Sequence, residues 1–131
     1  MFSFSVSTAK KEELIDITPK IEKIISDSRV NNGICVIFIP HTTCGITINE
    51  NADPSVINDI IKGLMIIPET GFKHAEGNSP AHIKTTLTGS SINLIIEEGK
   101  PLLGTWQGIY LAEYDGPRKR QVWVKTIGSQ P

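Results

Sequence analysis

Three residue pairs punctuate this chain in the same way: Thr18-Pro19, Asp53-Pro54 and Ser79-Pro80. A side-chain oxygen able to cap free amides, followed by a proline that fixes φ near its helical value, is a helix-start signal. Each pair therefore limits where a helix can begin and leaves the intervening stretches to pair as strands. After the first, Ile21, Ile24 and Ile25 form a buried stripe with Lys20, Glu22 and Lys23 outward. Asn31-Asn32-Gly33 then supplies residues that tolerate the left-handed conformation of a helix end. After the second, Val56, Ile57, Ile60, Ile61 and Leu64 mark a core face; the third opens a shorter helix that stops at Gly89.

The remaining segments read as strands. Phe2, Phe4 and Val6 alternate with serines, residues 14–17 read as a second short strand, and Ile46 and Ile48 alternate with Thr47 and Asn49. Residues 34–39 are apolar on both parities, which predicts a central strand covered on both faces. Beyond Gly89, strands over 91–97, 108–113 and 121–127 are separated by Glu98-Gly99 and Asp115-Gly116-Pro117, which are hairpin signals. The order ββα, ββα, short α, βββ predicts an α+β fold, a single domain over residues 1–131. Two main helices and one short helix would lie against one face of a largely antiparallel sheet.

Charge and cysteine content narrow the class of function. Thirteen basic against fourteen acidic residues leave a net charge of −1, without the basic footprint of a dedicated nucleic-acid binder. Cys35 and Cys44 are too few for a disulfide framework, and Cys44 reads as a buried thiol, a soft metal ligand or a nucleophile. No charged-then-apolar leader and no membrane-length apolar run is present, so the chain is expected to be soluble and cytoplasmic, with no membrane partner.

Chemistry-bearing residues concentrate in the middle of the chain. His41, His74 and His82 all fall in polar turns, in a stretch that also holds Glu50, Asp53 and Glu76. Imidazole titrates nearest neutral pH and is the commonest metal ligand, so this grouping points to a site. The eight-residue spacing of His74 and His82 does not by itself specify zinc. Lys84, in the first turn of the third helix, would add a positive charge for a phosphate near a helix start. Asp53 has a structural role available as the cap before Pro54, whereas Glu50 is the better general base or histidine partner. The segment 104–110 places glycines on either side of Trp106-Gln107. Such a pattern marks a bulge, or close approach of a ligand or second subunit. Trp106 could form a flat wall, and Gln107 could orient a ligand by donating and accepting hydrogen bonds. Arg118-Lys119-Arg120 reads as a solvated loop or as part of an anion site.

These stretches together resemble the YjbQ-like proteins, also called the secondary thiamine-phosphate synthase family. The resemblance runs through His41-Thr42-Thr43, Thr47 to Pro54, Pro80-Ala81-His82-Ile83-Lys84, Leu87, Gly89-Ser90-Ser91 and Gly104 to Tyr110. It implies a compact sandwich-like α+β domain, a homotrimer with sites near subunit contacts, and a metal ion held by His41, His74 and His82. It further implies a weak, secondary thiamine-phosphate synthase activity on a phosphorylated small molecule. The loop 75–79 carries fewer carboxylates and lacks the methionine often found before the proline, so zinc or a similar ion fits better than magnesium. In that activity Lys84, Arg118 and the helix start would hold the departing pyrophosphate, with Asp53 at the next helix start. Trp106 and Gln107 would hold the ring, and Glu50, His82 and Gln107 would form the catalytic set. Two other classes use the same residues: a metal-assisted hydrolase or lyase with Glu50 as base, and a binding module without turnover.

Overall fold

The computed structural model describes residues 1–129. Its strands are β1 (Phe2–Ser7), β2 (Glu13–Asp16), β3 (Gly33–Phe38), β4 (Cys44–Glu50), β5 (Ser91–Glu97), β6 (Lys100–Pro101), β7 (Gln107–Glu113) and β8 (Lys119–Gly128). The helices are α1 (Thr18–Ser28), α2 (Pro54–Gly63) and α3 (Ser79–Thr88), with a single 3₁₀ turn at Leu64–Ile66. All strand pairs are antiparallel, and they form two sheets, β1-β8-β3-β5-β6 and β2-β7-β4. The predicted α+β sandwich is what the chain forms.

Alternation decides which residues meet between the sheets. Val6, Cys35, Ile37, Leu94, Ile96, Val122 and Val124 come from the larger sheet, and Ile46, Ile109 and Leu111 from the smaller. Ile21 and Ile25 of α1, both fully buried, close the gap beside β6 and β7. On the far side of the small sheet, α2 and α3 pack along β4, and Ala81 joins Ala112 and Tyr114 in a second apolar cluster.

Several expectations change. β3 is not covered on both faces: Cys35, Ile37 and Ile39 are buried, while Ile34 and Phe38 are exposed at 49% and 40%. The doubly covered strand is β7, in which every residue from Gly108 to Glu113 is buried, because it is the middle strand of a small sheet lying between the core and the helices. The turn at Asp115-Gly116-Pro117 does not close a hairpin. β7 pairs with β2 and β4, β8 pairs with β1 and β3, and the connection crosses between sheets. The residues 98–99 do turn as read, between β5 and the two-residue β6. The stripe of α2 is only partly covered, with no residue buried, so it is not a core face.

The helix starts hold in position but differ in mechanism. Asp53 caps α2 by accepting from Ser55 N at 3.0 Å and Ser55 Oγ at 2.8 Å. Thr18 instead accepts a bond from Ile109 N at 2.8 Å, which ties α1 to β7, and Ser79 is the first residue of α3 rather than its cap. α1 ends at Arg29 in the left-handed region (φ 60°), before Asn31.

Gly45 sets how closely β4 approaches the end of α3. A Cβ there would fall 2.4 Å from the carbonyl oxygen of Gly89, which accepts the amide of Ile46 at 3.1 Å. Gly45→Ala is therefore expected to cost roughly 1–3 kcal/mol, as overpacking does, read as a lower urea midpoint. Gly63→Ala, with nothing within 4 Å of its Cβ, should leave the midpoint unchanged or raise it. Equal midpoints for Gly45→Ala and the parent chain would contradict the close approach.

Candidate functional site

One end of the sandwich carries the chemistry. The β3–β4 connection brings Pro40 to Thr43 beside the first turn of α3 and the β7–β8 crossover. Together they surround a cavity of about 420 Å³ lined by His41, His74, His82, Glu76, Arg118 and Arg120, among others. The three histidines, far apart in sequence, thus share one cavity. His41 follows the end of β3 at Phe38 by three residues, and α3 carries His82 in its first turn. His74 opens a turn closed by Gly77 N to His74 O at 3.1 Å, with Gly77 at φ 80°. The rings of His74 and His82 meet edge-to-face with centroids 5.6 Å apart.

His41 is held differently from the other two. Its Nε2 accepts the backbone amide of Gln121 at 2.8 Å, so the neutral ring carries its proton on Nδ1. Partial burial lowers its pKa from the usual histidine value, and the positive charge of Arg120 lowers it further, against a smaller opposing pull from Glu113.

Behind the cavity lies a buried charged pair. Arg120 Nε donates to Glu113 Oε1 at 2.8 Å, and its Nη2 bonds both Glu113 Oε2 and, at 2.8 Å, Thr43 Oγ1. Glu113 also accepts from Thr8 Oγ1 at 2.8 Å and from Asp115 N at 3.0 Å. Burial alone would raise the Glu113 carboxyl, but the Arg120, Asp115 and Thr8 bonds outweigh it and hold the pKa below the ordinary carboxylate value. At the rim, Arg118 bonds Asp115 at 3.0 Å, and Asn78 donates to both Glu76 at 2.8 Å and Asp115 at 2.9 Å. The Oδ1 of Asn78 is buried without a partner.

The other expected site residues lie elsewhere. Lys84 is 1% exposed and faces away from the cavity, bonded to Glu12 with Glu69 at 3.8 Å, so its ammonium is engaged inside the chain. Glu50, Asp53, Trp106 and Gln107 gather at the opposite end of the small sheet, since β4 runs from Cys44 beside the cavity to Glu50, a rise of about 20 Å. There Glu50 pairs with Gln107, its carboxylate accepts Ala52 N at 3.1 Å, and Gln107 Oε1 accepts Gly104 N at 2.7 Å. Trp106 is 64% exposed. Asp53 is fully exposed, and its bonds to Ser55 lower its pKa. Cys44 is buried in the core, which pushes its thiol up to about 12 and leaves it protonated rather than nucleophilic.

The donor set does not amount to a metal site as arranged. Among the described residues, no three His, Cys, Asp or Glu side chains are grouped closely enough to hold one metal ion, and Nε2 of His41 is committed to Gln121. Sequence reasoning missed Glu113, Asp115 and Asn78. Glu113 did carry a signal, as an acid at the end of an apolar strand with three basic residues a few positions on.

Residues 2–129 match the family described as "UPF0047 protein YjbQ-like". The chain belongs to that family. A UPF0047 protein of Methanocaldococcus jannaschii is 59% identical, with 99% of this chain and 96% of the relative covered. The YugU protein of Bacillus subtilis is 42% identical over 96% of this chain and 98% of its own length. Among solved structures, a YjbQ/UPF0047 family protein of Clostridium acetobutylicum superposes with a TM-score of 0.94 at 53% identity, covering 97% of this chain and all of that one. A YbjQ-like protein of unknown function from Sulfolobus solfataricus gives 0.92 at 38% identity, over 98% and 96%. Among the described residues, no helix is long and apolar enough to cross a membrane.

Two outcomes follow for this YjbQ-like chain. Lys84→Met, which strands Glu12 opposite an apolar side chain, should cost on the order of 3–5 kcal/mol by thermal or urea unfolding. Because the folded pKa of His41 is lowered, the unfolded chain takes up a proton first as pH falls. Stability is therefore intact above pH 6.5, the ordinary histidine value. It declines as pH drops from there through the lowered folded value. His41→Gln should flatten the decline that sets in as pH falls below 6.5; an unchanged slope would assign it to other groups.

Proposed function

We propose that the chain binds a small phosphorylated molecule in the histidine-lined cavity and exchanges protons with it through His74 and His82. The observation that carries this reading is the convergence of all three histidines on one cavity with the Arg118 guanidinium at its rim. Paired imidazoles suit proton transfer, and a guanidinium suits a phosphate.

Charge adds a condition. Arg118 and Arg120 face Glu76, Glu113 and Asp115, which leaves one net negative charge with neutral histidines. A phosphorylated ligand is therefore accommodated together with a cation. A divalent ion of the zinc type would use His74 and His82 with a third group from the ligand, or from His41 after it releases Gln121. Such an ion would supply Lewis-acid stabilisation of an anion.

The thiamine-phosphate synthase activity implied by the resemblance fits as a side reaction, in which Arg118 steadies the departing pyrophosphate. Trp106, Gln107 and Glu50 would contribute only from a neighbouring subunit, which is where a homotrimer would matter. The exposed Trp106, the half-covered stripe of α2, and Met65 and Ile66 at 64% and 83% exposure favour self-association.

Calorimetric titration with inorganic phosphate, with and without zinc, tests the reading. Binding is expected to strengthen at least tenfold with zinc, and to weaken several-fold in Arg118→Gln and His82→Gln at unchanged Tm. Phosphate binding indifferent to both substitutions would place the ligand elsewhere.

A further inference from the structure

We infer that residues 67–77 form a strap that opens and closes over the histidine cavity, fastened shut by the side-chain amide of Asn78. This rests on the reading above, in which that cavity holds the ligand. The segment joins the 3₁₀ turn at Leu64–Ile66 to α3, contains no helix or strand, and supplies His74 and Glu76 to the cavity wall. Little else ties it down. Residues 68–77 are all exposed, and among the described residues the backbone of 68–76 makes no backbone–backbone hydrogen bond outside the segment. Phe72 is 42% exposed and joins neither apolar cluster. Between the strap and the rest of the fold lies a gap of about 130 Å³, lined by Glu69, Glu76 and Gly77 on one side and by Glu12, Tyr114 and Asp115 on the other. A segment so sparsely bonded opens at far lower free energy than the core. Gly71 at φ 98° and Gly77 at φ 80° bracket His74, and neither has an atom within 4 Å of an added Cβ. Both can turn without a clash.

Two polar fastenings hold the strap in place. Glu69 lies 3.8 Å from both Lys11 and Lys84, too long for a hydrogen bond, and its side chain is 57% exposed, so this fastening is weak. The stronger one is a clasp. Asn78 Nδ2 donates to Glu76 Oε2 at 2.8 Å and to Asp115 Oδ2 at 2.9 Å, which joins the strap to the β7–β8 crossover. Both partners are carboxylates and only accept, so the amide nitrogen rather than the oxygen must face them. Asn78 gives up its usual partners to do this. It occupies the cap position of α3, yet its side chain makes no capping bond, and its Oδ1 is buried without a partner.

The clasp decides when the cavity is complete. With the strap shut, the rings of His74 and His82 lie 5.6 Å apart. Opening carries His74 and Glu76 away and leaves His41, His82, Arg118 and Arg120 on the rest of the fold. A phosphate thus enters past the open strap, and closure then assembles the imidazole pair around it and excludes water.

Lys73 is the one lysine or arginine between residues 67 and 78, so trypsin cleavage there reports opening of the strap. On the full chain, cleavage is expected to begin after Lys73. It should run about threefold or more faster in Asn78→Ala and in Glu76→Ala, with less than the product of the two effects in the double variant, because both break one clasp. Inorganic phosphate, under the calorimetric conditions above, should slow it about fivefold or more. Cleavage no faster in Asn78→Ala, or appearing only together with cuts in β8, overturns the strap. Cleavage unchanged by phosphate that calorimetry shows to bind overturns it as well and leaves the phosphate reading standing. No calorimetric binding, with cleavage still faster in Asn78→Ala, removes the phosphate reading and leaves the strap.

Discussion

The bond between Arg120 and Glu113 joins the two halves of this molecule where its chemistry begins. Arg120 belongs to β8 in the larger sheet and Glu113 to β7 in the smaller, and both are buried. Two charges in that environment are tolerable only when every polar atom is well supplied with partners. Thr8, Thr43 and the amide of Asp115 complete the set. The pair thereby fixes the spacing between sheets and holds the Thr43 turn. It also anchors the crossover bearing Asp115 and Arg118.

The same pair shapes the electrostatics of the cavity. The positive charge of Arg120 works with burial to keep His41 neutral, and a neutral His41 can accept the amide of Gln121. Loss of the guanidinium would weaken that preference and strand the Glu113 carboxylate. Asn78 extends the network outward by holding two carboxylates with its amide hydrogens, which leaves its own oxygen facing no donor. The cavity wall is thus built from groups mutually constrained by hydrogen bonds, a condition for preorganised recognition.

The two ends of the small sheet carry different side-chain chemistry. Histidines occupy one end; Glu50, Gln107 and an exposed Trp106 occupy the other. Apolar surface is left uncovered outside the sandwich as well. Ile34, Ile95 and Ile127 lie side by side in register across three strands, and Phe38 stacks on Trp123 with ring centroids 5.9 Å apart. An outward face of this kind explains why residues 34–39 are apolar on both parities without being buried on both.

Helix positions, the α+β class and most strand positions were legible in the sequence. They depend on local chemistry: prolines with fixed φ, glycines at left-handed turns such as Gly99, and the two- or three-to-four-residue spacing of apolar side chains. The three histidines, grouped in one stretch of the sequence, do line one cavity. What the chain could not disclose locally was which strands pair across long separations. Register alone placed β7 and β8 in different sheets, and that crossing created the Arg120–Glu113 bond. Burial turned Lys84 from an expected anion ligand into an internal ion pair, and the length of β4 carried Glu50 and Trp106 away from the histidines. A side chain's type is written in the sequence, but the partner that determines its charge and reach is supplied only when distant segments pack together.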